Sequence, residues 1–299
     1  MIRFESGKEI TAVIDFPCII TDNKDRILCW YFPEVLDEEA QEAALRGTKL
    51  LSKELSRATC KPQDAAKTVP SSWRRDAQYF RPAEDCEIPP GTITLAPVWH
   101  ESAHPFPKFP PVQGTAWRDF HSSSRHRLWS AEMEPLKGAM IAISFLCFPR
   151  QTFYEVKAAT KLRKEPAFNE AYTDWEWPSQ GLAIICNRQT PLHRDCKTSL
   201  GMYDTLATCG KYPDGDFVIE ELNIRLRYKP GTMISLAGGL LRHGAEVATG
   251  ERVAFAGFMR QELWQATDTP IPFLTDLQTL RDDIERWAGE LVDSDPAAE

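Results

Sequence analysis

A chain of 299 residues that is 42% hydrophobic, 26% charged and 10% aromatic is too apolar for a disordered polymer and too interrupted by charge for a membrane protein. Its longest apolar run, Ala139 to Phe148, covers ten residues, about half of the roughly 20 that a bilayer crossing needs. The net charge is −8, but nine acids face only two bases from Asp268 to Glu299, so the body is nearly neutral and charge excludes no class of partner.

The first residues, Met1-Ile2-Arg3-Phe4-Glu5, carry no apolar core or cleavage-like site, so no secretory signal is expected. Ile10 to Asp15 and Ile19 to Thr21 read as extended, Asp22-Asn23-Lys24-Asp25 as a turn, and Arg26 to Tyr31 as the return of a hairpin. Leu36 to Leu55 places Leu36, Ala40, Ala43, Ala44, Leu50, Leu51 and Leu55 at helical spacing, with Asp37, Glu38 and Glu39 at its positive end. Residues 57 to 125 are rich in proline and aromatics and read as ordered loop around a core, the kind of long connection that lines a site. Ala131 to Phe148 and Thr152 to Lys164 are expected as helices.

From Gly181 the pattern changes to short strands: Leu182 to Cys186, Met202 to Thr208, Asp216 to Ile219, Ile224 to Tyr228, Thr232 to Leu236, His243 to Val247 and Arg252 to Phe258. Pro213-Asp214-Gly215, Pro230-Gly231, Gly238-Gly239 and Thr249-Gly250 supply the turns. Short strands with tight turns predict an α+β chain whose core is a jelly roll flanked by helices. Thr275 to Leu291 puts Leu277, Leu280, Ile284, Trp287 and Leu291 on one face, an amphipathic helix with its acids in solvent. The expected organisation is one domain over 1–299: an N-terminal part (1–180), the jelly roll (181–262), and a C-terminal helix with an acidic tail (263–299). The eight cysteines form no C-x-x-C and several sit in apolar runs. They read as reduced thiols of a nuclear or cytoplasmic protein.

Of six histidines, His193 and His243 fall in the strand-rich part. His193-Arg194-Asp195 puts an imidazole and a carboxylate two residues apart, on one side of an extended segment. His243 follows several strands later. Two histidines and a carboxylate on one face of a metal leave positions open, as in the non-haem Fe(II) oxygenases. Arg252, nine residues beyond His243, is the bidentate cation that an anionic co-substrate requires at its far end. Singly, each of these residues reads as an ordinary surface or core residue; all four in this order favour a shared site. His100, His104, His121 and His126 are irregularly spaced and lack a cysteine pair, which speaks against a structural zinc. Pro213-Asp214-Gly215-Asp216 lacks the remaining ligands of a calcium loop.

His193-x-Asp195, His243 and Arg252 resemble the double-stranded β-helix of Fe(II)/2-oxoglutarate dioxygenases over about 181–262. Asn187-Arg188-Gln189-Thr190-Pro191-Leu192-His193-Arg194-Asp195, Lys229-Pro230-Gly231-Thr232 and Arg242-His243-Gly244 are similar to the TET/JBP oxygenases, especially their compact fungal branch. The resemblance implies Fe(II) on His193, Asp195 and His243 as the catalytic centre, and 2-oxoglutarate and O2 as co-substrates. It also implies oxidation of a methylated base in DNA: 5-methylcytosine to 5-hydroxymethylcytosine and further forms, or demethylation of N6-methyladenine. Asn187 and Arg188 are implied in co-substrate binding, Arg188 at the iron-proximal carboxylate. Arg260 is the rival of Arg252, since some relatives place the co-substrate arginine farther along.

A methyl group inside a duplex is out of reach of a buried iron, so the base must be flipped out and held. Residues an even number apart on a strand share a face, so Arg252, Ala254, Ala256, Phe258 and Arg260 are expected to point one way. Phe258 is then the candidate for stacking on the base and Arg260 for its edge or a phosphate. Arg74, Arg75, Arg118, Arg125, Arg127, Arg150, Lys157, Lys161, Arg163 and Lys164 are the candidate backbone cations. The competing readings are a 2-oxoglutarate-dependent hydroxylase of a protein side chain or small molecule, and an inactive jelly-roll binding module. A monomer is expected.

Overall fold

The computed structural model describes residues 12–58, 73–101, 106–195 and 198–293. Two sheets face each other. The larger runs in the order β2 (Cys18–Thr21), β3 (Ile27–Phe32), β12 (Met233–Leu236), β9 (Asp204–Lys211), β14 (Glu251–Phe258), β7 (Gly181–Cys186), β4 (Gly91–Leu95). The smaller runs β1 (Ala12–Ile14), β11 (Ile224–Arg227), β10 (Asp216–Ile219), β13 (His243–Ala245), β8 (Thr190–His193). Apart from the parallel pair β1 and β11, the neighbours are antiparallel. This is the jelly roll that the alternating strands and tight turns predict. The expected hairpin is β2 and β3, whereas the segment before it crosses to the opposite sheet. Ile10 lies outside the described residues.

The period of two divides each strand between a helix side and an inner side. On β14, Val253 and Phe255 enter a core with Leu182, Ile184, Ala207 and the helices, while Arg252, Ala254, Ala256 and Phe258 line an inner cavity. The helix side is closed by α1 (Glu38–Lys49), α2 (Ser52–Leu55), α3 (Thr115–His121), α4 (His126–Cys147) and α5 (Pro149–Lys164). Trp129, Met133, Leu136 and Met140 of α4 are all within 1% of full burial, each contributing roughly 1.5–3 kcal/mol. That burial outweighs the cost of Pro135 inside the helix, about 3 kcal/mol. It also explains why α4 starts at His126, five residues before the expected Ala131.

Three more expectations need correction. The helix predicted over Leu36 to Leu55 starts on an Asp37 cap, whose Oδ1 accepts from Ala40 N at 2.7 Å, but breaks at Leu50. There the Leu50 carbonyl accepts from Arg125 while Leu51 and Leu55 turn into the core. The stretch 57–125 is not only loop: β4 forms the edge of the larger sheet against β7, and α3 follows it. The C-terminal helix, α7 (Leu277–Asp293), follows a short α6 (Gln261–Ala266). Not all of its acids are in solvent. Asp283 is buried and pairs with Arg150 at 2.6 Å and Arg286 at 2.6 Å, while Leu277 and Ile284 are exposed. Among the described residues no helix is long and apolar enough to cross a membrane. The six described cysteines are unpaired; Cys60 and Cys196 lie outside the described residues.

Candidate metal and co-substrate centre

His193 ends β8 and His243 opens β13, and the two strands pair so that these residues sit opposite each other, ring centroids 4.5 Å apart. Asp195 follows β8, and its backbone N–H donates to the Gly238 carbonyl at 3.0 Å. The turn bearing Gly238 therefore presses on the carboxylate. A Cβ at that position would stand 2.6 Å from Asp195 Oδ2 and 3.1 Å from Asp204 Oδ2, so any other residue there would push the Asp195 carboxylate aside.

His193 Nε2 lies 3.3 Å from Asp195 Oδ1, and His243 Nε2 lies 3.6 Å from Asp195 Oδ2. The opposite ring nitrogen is engaged in the same way in both: His193 Nδ1 on the Pro191 carbonyl at 3.0 Å, His243 Nδ1 on the Leu241 carbonyl at 2.9 Å. A carbonyl only accepts, so each Nδ1 carries a proton and each Nε2 is the nitrogen left facing the carboxylate, a donor to it when protonated and a metal ligand when not. That is the donor set of a divalent metal site, oriented before any metal arrives. Burial by itself raises the Asp195 carboxyl, but the His193 hydrogen bond and the nearby His243 hold it below the usual range. Burial lowers His243, against the pull of the Asp195 carboxylate.

Beside the triad a cavity of about 480 Å³ is lined by both sheets. Arg252 is 4% exposed and its Nη2 donates to the carbonyls of Arg188 at 3.0 Å and Glu246 at 2.6 Å, while the buried Nη1 has no hydrogen-bond partner among the described residues. The Tyr212 and Tyr228 rings flank it at 5.7 and 5.8 Å. Arg188 is 6% exposed and bonds only neutral oxygens: Arg74 O, Thr92 Oγ1 at 3.1 Å and Thr190 Oγ1 at 3.3 Å. Burial, then the neighbouring Arg74 and Arg252, push its guanidinium down to about 9, still protonated at neutral pH. Two buried cations without a bonded carboxylate among the described residues are costly to hold, and an anion in the cavity removes that cost. The residues present thus fit both a metal and a dicarboxylate.

Asn187 is placed differently from its neighbour. It takes the left-handed conformation at φ +55°, where an asparagine is tolerated. Its Nδ2 donates to Ile88 O and Glu251 Oε1, and its Oδ1 accepts from Arg252 N at 3.0 Å. Its amide is consumed in holding β14 and does not line the cavity. The even-numbered face of β14 runs into the cavity without a bulge, the register with β9 being continuous from Glu251 to Gly257. Phe258 and Arg260 both line it; Phe258 lies edge-on to Trp99 at 6.5 Å, and Arg260 stacks on Trp99 at 3.7 Å while donating to His100 O at 2.9 Å.

Sequence reasoning missed Thr92, Thr94 and Trp99 as cavity residues because they come from the segment read as loop. The alternation in Gly91-Thr92-Ile93-Thr94-Leu95 was the available signal. Trp73 was also missed: its ring lies 4.8 Å from that of His193, with Arg74 at 4.4 Å and Arg188 at 4.9 Å. The ten candidate cations do not gather. Arg125 pairs with Glu54, Arg150 with Asp283 and Arg118 with Asp119; Lys161 and Arg163 cap backbone carbonyls. Of the ten, Arg74 is the one that lines the cavity, 3.5 Å from Asp195.

At the level of sequence the chain matches no family model and no curated protein. Its coordinates are similar to NgTET1 in complex with 5mC DNA, at 13% identity over 93% of this chain and 88% of that one, with a TM-score of 0.57. OsALKBH1 aligns at 11% identity over 78% of this chain and 97% of that one, with a TM-score of 0.36. The rice dioxygenase for auxin oxidation aligns at 13% identity over 89% and 87%, with a TM-score of 0.37. The last two are too distant to carry an argument, and the first establishes the double-stranded β-helix fold.

Proposed function

We propose that the chain is an Fe(II)/2-oxoglutarate-dependent dioxygenase that oxidises the methyl group of a methylated DNA base, 5-methylcytosine foremost. One observation carries the reading. A His-Asp-His donor set with both imidazole rings oriented through Nδ1 shares a single cavity with two buried arginines that bond no carboxylate among the described residues. Iron held by His193, Asp195 and His243 would supply the two-electron oxidation of a C–H bond, with 2-oxoglutarate and O2 consumed and succinate and CO2 released.

The chain's own residues divide the remaining work. Arg252, which lines the cavity, offers its guanidinium to the distal carboxylate of the co-substrate, seated by Asn187 and by the Arg188 and Glu246 carbonyls. Arg188 offers a second positive charge on the same side for the iron-proximal carboxylate. Ala254 and Ala256 leave space above the co-substrate, and Phe258, Trp99 and Arg260 form an aromatic and cationic rim on which a flipped base stacks. The similarity to a structure holding 5mC DNA supports a base as the occupant of that rim.

The test is mass spectrometry of methylated DNA incubated with the protein, Fe(II) and 2-oxoglutarate, reading oxidised cytosines and loss of N6-methyladenine. Expected is 5-hydroxymethylcytosine that requires both co-factors. Succinate formation stimulated by a peptide or metabolite, with no base oxidised, would sink the DNA reading in favour of a side-chain or small-molecule hydroxylase. No succinate under any condition would sink the enzyme reading itself.

A further inference from the structure

The histidines that gave no zinc pattern in the sequence meet in the fold. His121 is the last residue of α3 and His126 the first of α4, so the turn between them folds one imidazole toward the other, ring centroids 4.6 Å apart. Asp174, from the segment leading into β7, completes the group. His121 Nε2 lies 2.9 Å and His126 Nδ1 lies 3.9 Å from Asp174 Oδ2. One donor atom from each of the three falls within 4.8 Å of the others.

A simple hydrogen-bonded cluster accounts for only part of this. It satisfies His121, but 3.9 Å is too long for a hydrogen bond from His126. His126 is nonetheless 4% exposed and walled by Trp117 at 5.1 Å and Phe120 at 6.1 Å. Its other nitrogen, Nε2, faces Ser130 Oγ at 3.4 Å, a partner that can take the Nε2 proton and leave the Nδ1 lone pair toward Asp174. Bonds of 2.0–2.1 Å at tetrahedral angles set neighbouring ligand atoms about 3.4 Å apart. The two observed separations bracket that value.

We propose that His121, His126 and Asp174 bind a second divalent metal, Zn(II), separate from the His193-Asp195-His243 centre. Two imidazoles and a carboxylate suit zinc, and the half-exposed Asp174 leaves the fourth position to water. The ion would fasten the α3–α4 turn to the 170–177 segment, which also holds this region through the bond from Trp117 Nε1 to Ala171 O at 2.7 Å. An ion bound by the folded chain alone couples its binding to stability, and it is read there rather than through turnover at the first centre.

Zinc content after chelation and reloading with Zn(II) alone, measured by inductively coupled plasma mass spectrometry, tests this. In the His193→Ala/Asp195→Ala/His243→Ala background the first centre is gone, and about one zinc per chain should remain. Adding Asp174→Ala or His121→Ala should remove it, together with the rise in melting temperature on zinc addition. Asp174→Asn, which keeps a hydrogen-bond acceptor for His121, guards against misfolding: it should hold the circular dichroism spectrum of the background and still lose zinc. A triple variant that binds no zinc, or one whose zinc is unaffected by Asp174→Asn and His121→Ala, overturns the proposal and leaves a hydrogen-bonded cluster. Because the readout is taken without the first centre, it stands apart from the dioxygenase reading.

Discussion

At the scale of the residue, the centre depends on side chains whose polar atoms are committed before a ligand binds. The Asp195 backbone is held by its bond to Gly238, whose missing Cβ leaves the room its carboxylate occupies. Asp195→Ala should therefore abolish turnover while leaving the circular dichroism spectrum unchanged; full activity with iron and oxygen supplied would mean that another group holds the metal. Arg252 and Arg260 are separated by affinity for 2-oxoglutarate. Arg252→Ala should weaken it by roughly 10- to 100-fold, the cost of about 1.5–3 kcal/mol for a charged hydrogen bond. Arg252→Lys should recover little, since a point charge cannot copy the fork. Loss confined to Arg260→Ala would reverse the assignment, although its stacking on Trp99 places its charge at the rim. Phe258→Ala should weaken methylated-DNA binding by about 1–3 kcal/mol with 2-oxoglutarate affinity unchanged. A collapse in melting temperature with normal turnover per folded molecule would instead make Phe258 packing for Gly181, which its ring approaches to 3.1 Å of an added Cβ.

At the scale of the element, α5 is bolted to the start of β9 by a buried polar group rather than by apolar contact alone. Gln151 donates to the Tyr203 carbonyl at 2.7 Å and to Glu155 at 2.9 Å, and accepts from Tyr203 N at 2.8 Å. Burial pushes the Glu155 carboxyl up to about 8, so it is neutral in the folded chain at pH 7 and ionised in the unfolded one. Between the ordinary glutamate range and pH 8 the folded state thus binds the extra proton, and stability falls as pH rises through that window. Glu155→Gln keeps the shape and the acceptor while removing the proton to be lost. It should raise stability at neutral pH by on the order of 2–3 kcal/mol and flatten the fall between the ordinary glutamate range and pH 8. Denaturant unfolding at several pH values checks this; an unchanged slope would show that Glu155 is solvated. The strands of the jelly roll were legible because alternation and turn residues agree there. β4 and the break at Leu50 were not, since the first is a short alternating run among prolines and the second depends on Arg125, 75 residues away.

At the scale of the whole molecule, the charge distribution sets how DNA would be gripped. Most candidate cations are spent on acids or carbonyls of the same chain, and the rim contributes Arg74 and Arg260. A complex neutralising two to four phosphates should show log K falling with log salt at a slope of about −2 to −4. Fluorescence anisotropy of methylated duplex from low to moderate salt measures it. A slope as steep as about −7 would require a basic surface elsewhere on the chain, and no salt dependence would argue against a nucleic acid partner.

What the sequence by itself determined is what local rules and spacing govern. The alternation of β14 placed Arg252, Ala254, Ala256 and Phe258 on one face, and His193-x-Asp195 put two donors on one side of an extended segment. Both follow from the period of two in a strand, which requires no knowledge of the partner. The spacing left open whether the strands of His193 and His243 are neighbours; the fold pairs β13 with β8 and sets the two residues opposite each other. Only the tertiary structure decided the rest. It turned Asn187 from the cavity to the backbone of Arg252, dispersed the cations, buried Asp283, and brought Asp174 to His121 and His126 across 53 and 48 residues of chain. Each of these is a polar group whose partner is remote in sequence. Desolvation obliges such a group to find a partner in the fold, but leaves no local periodicity to say which one.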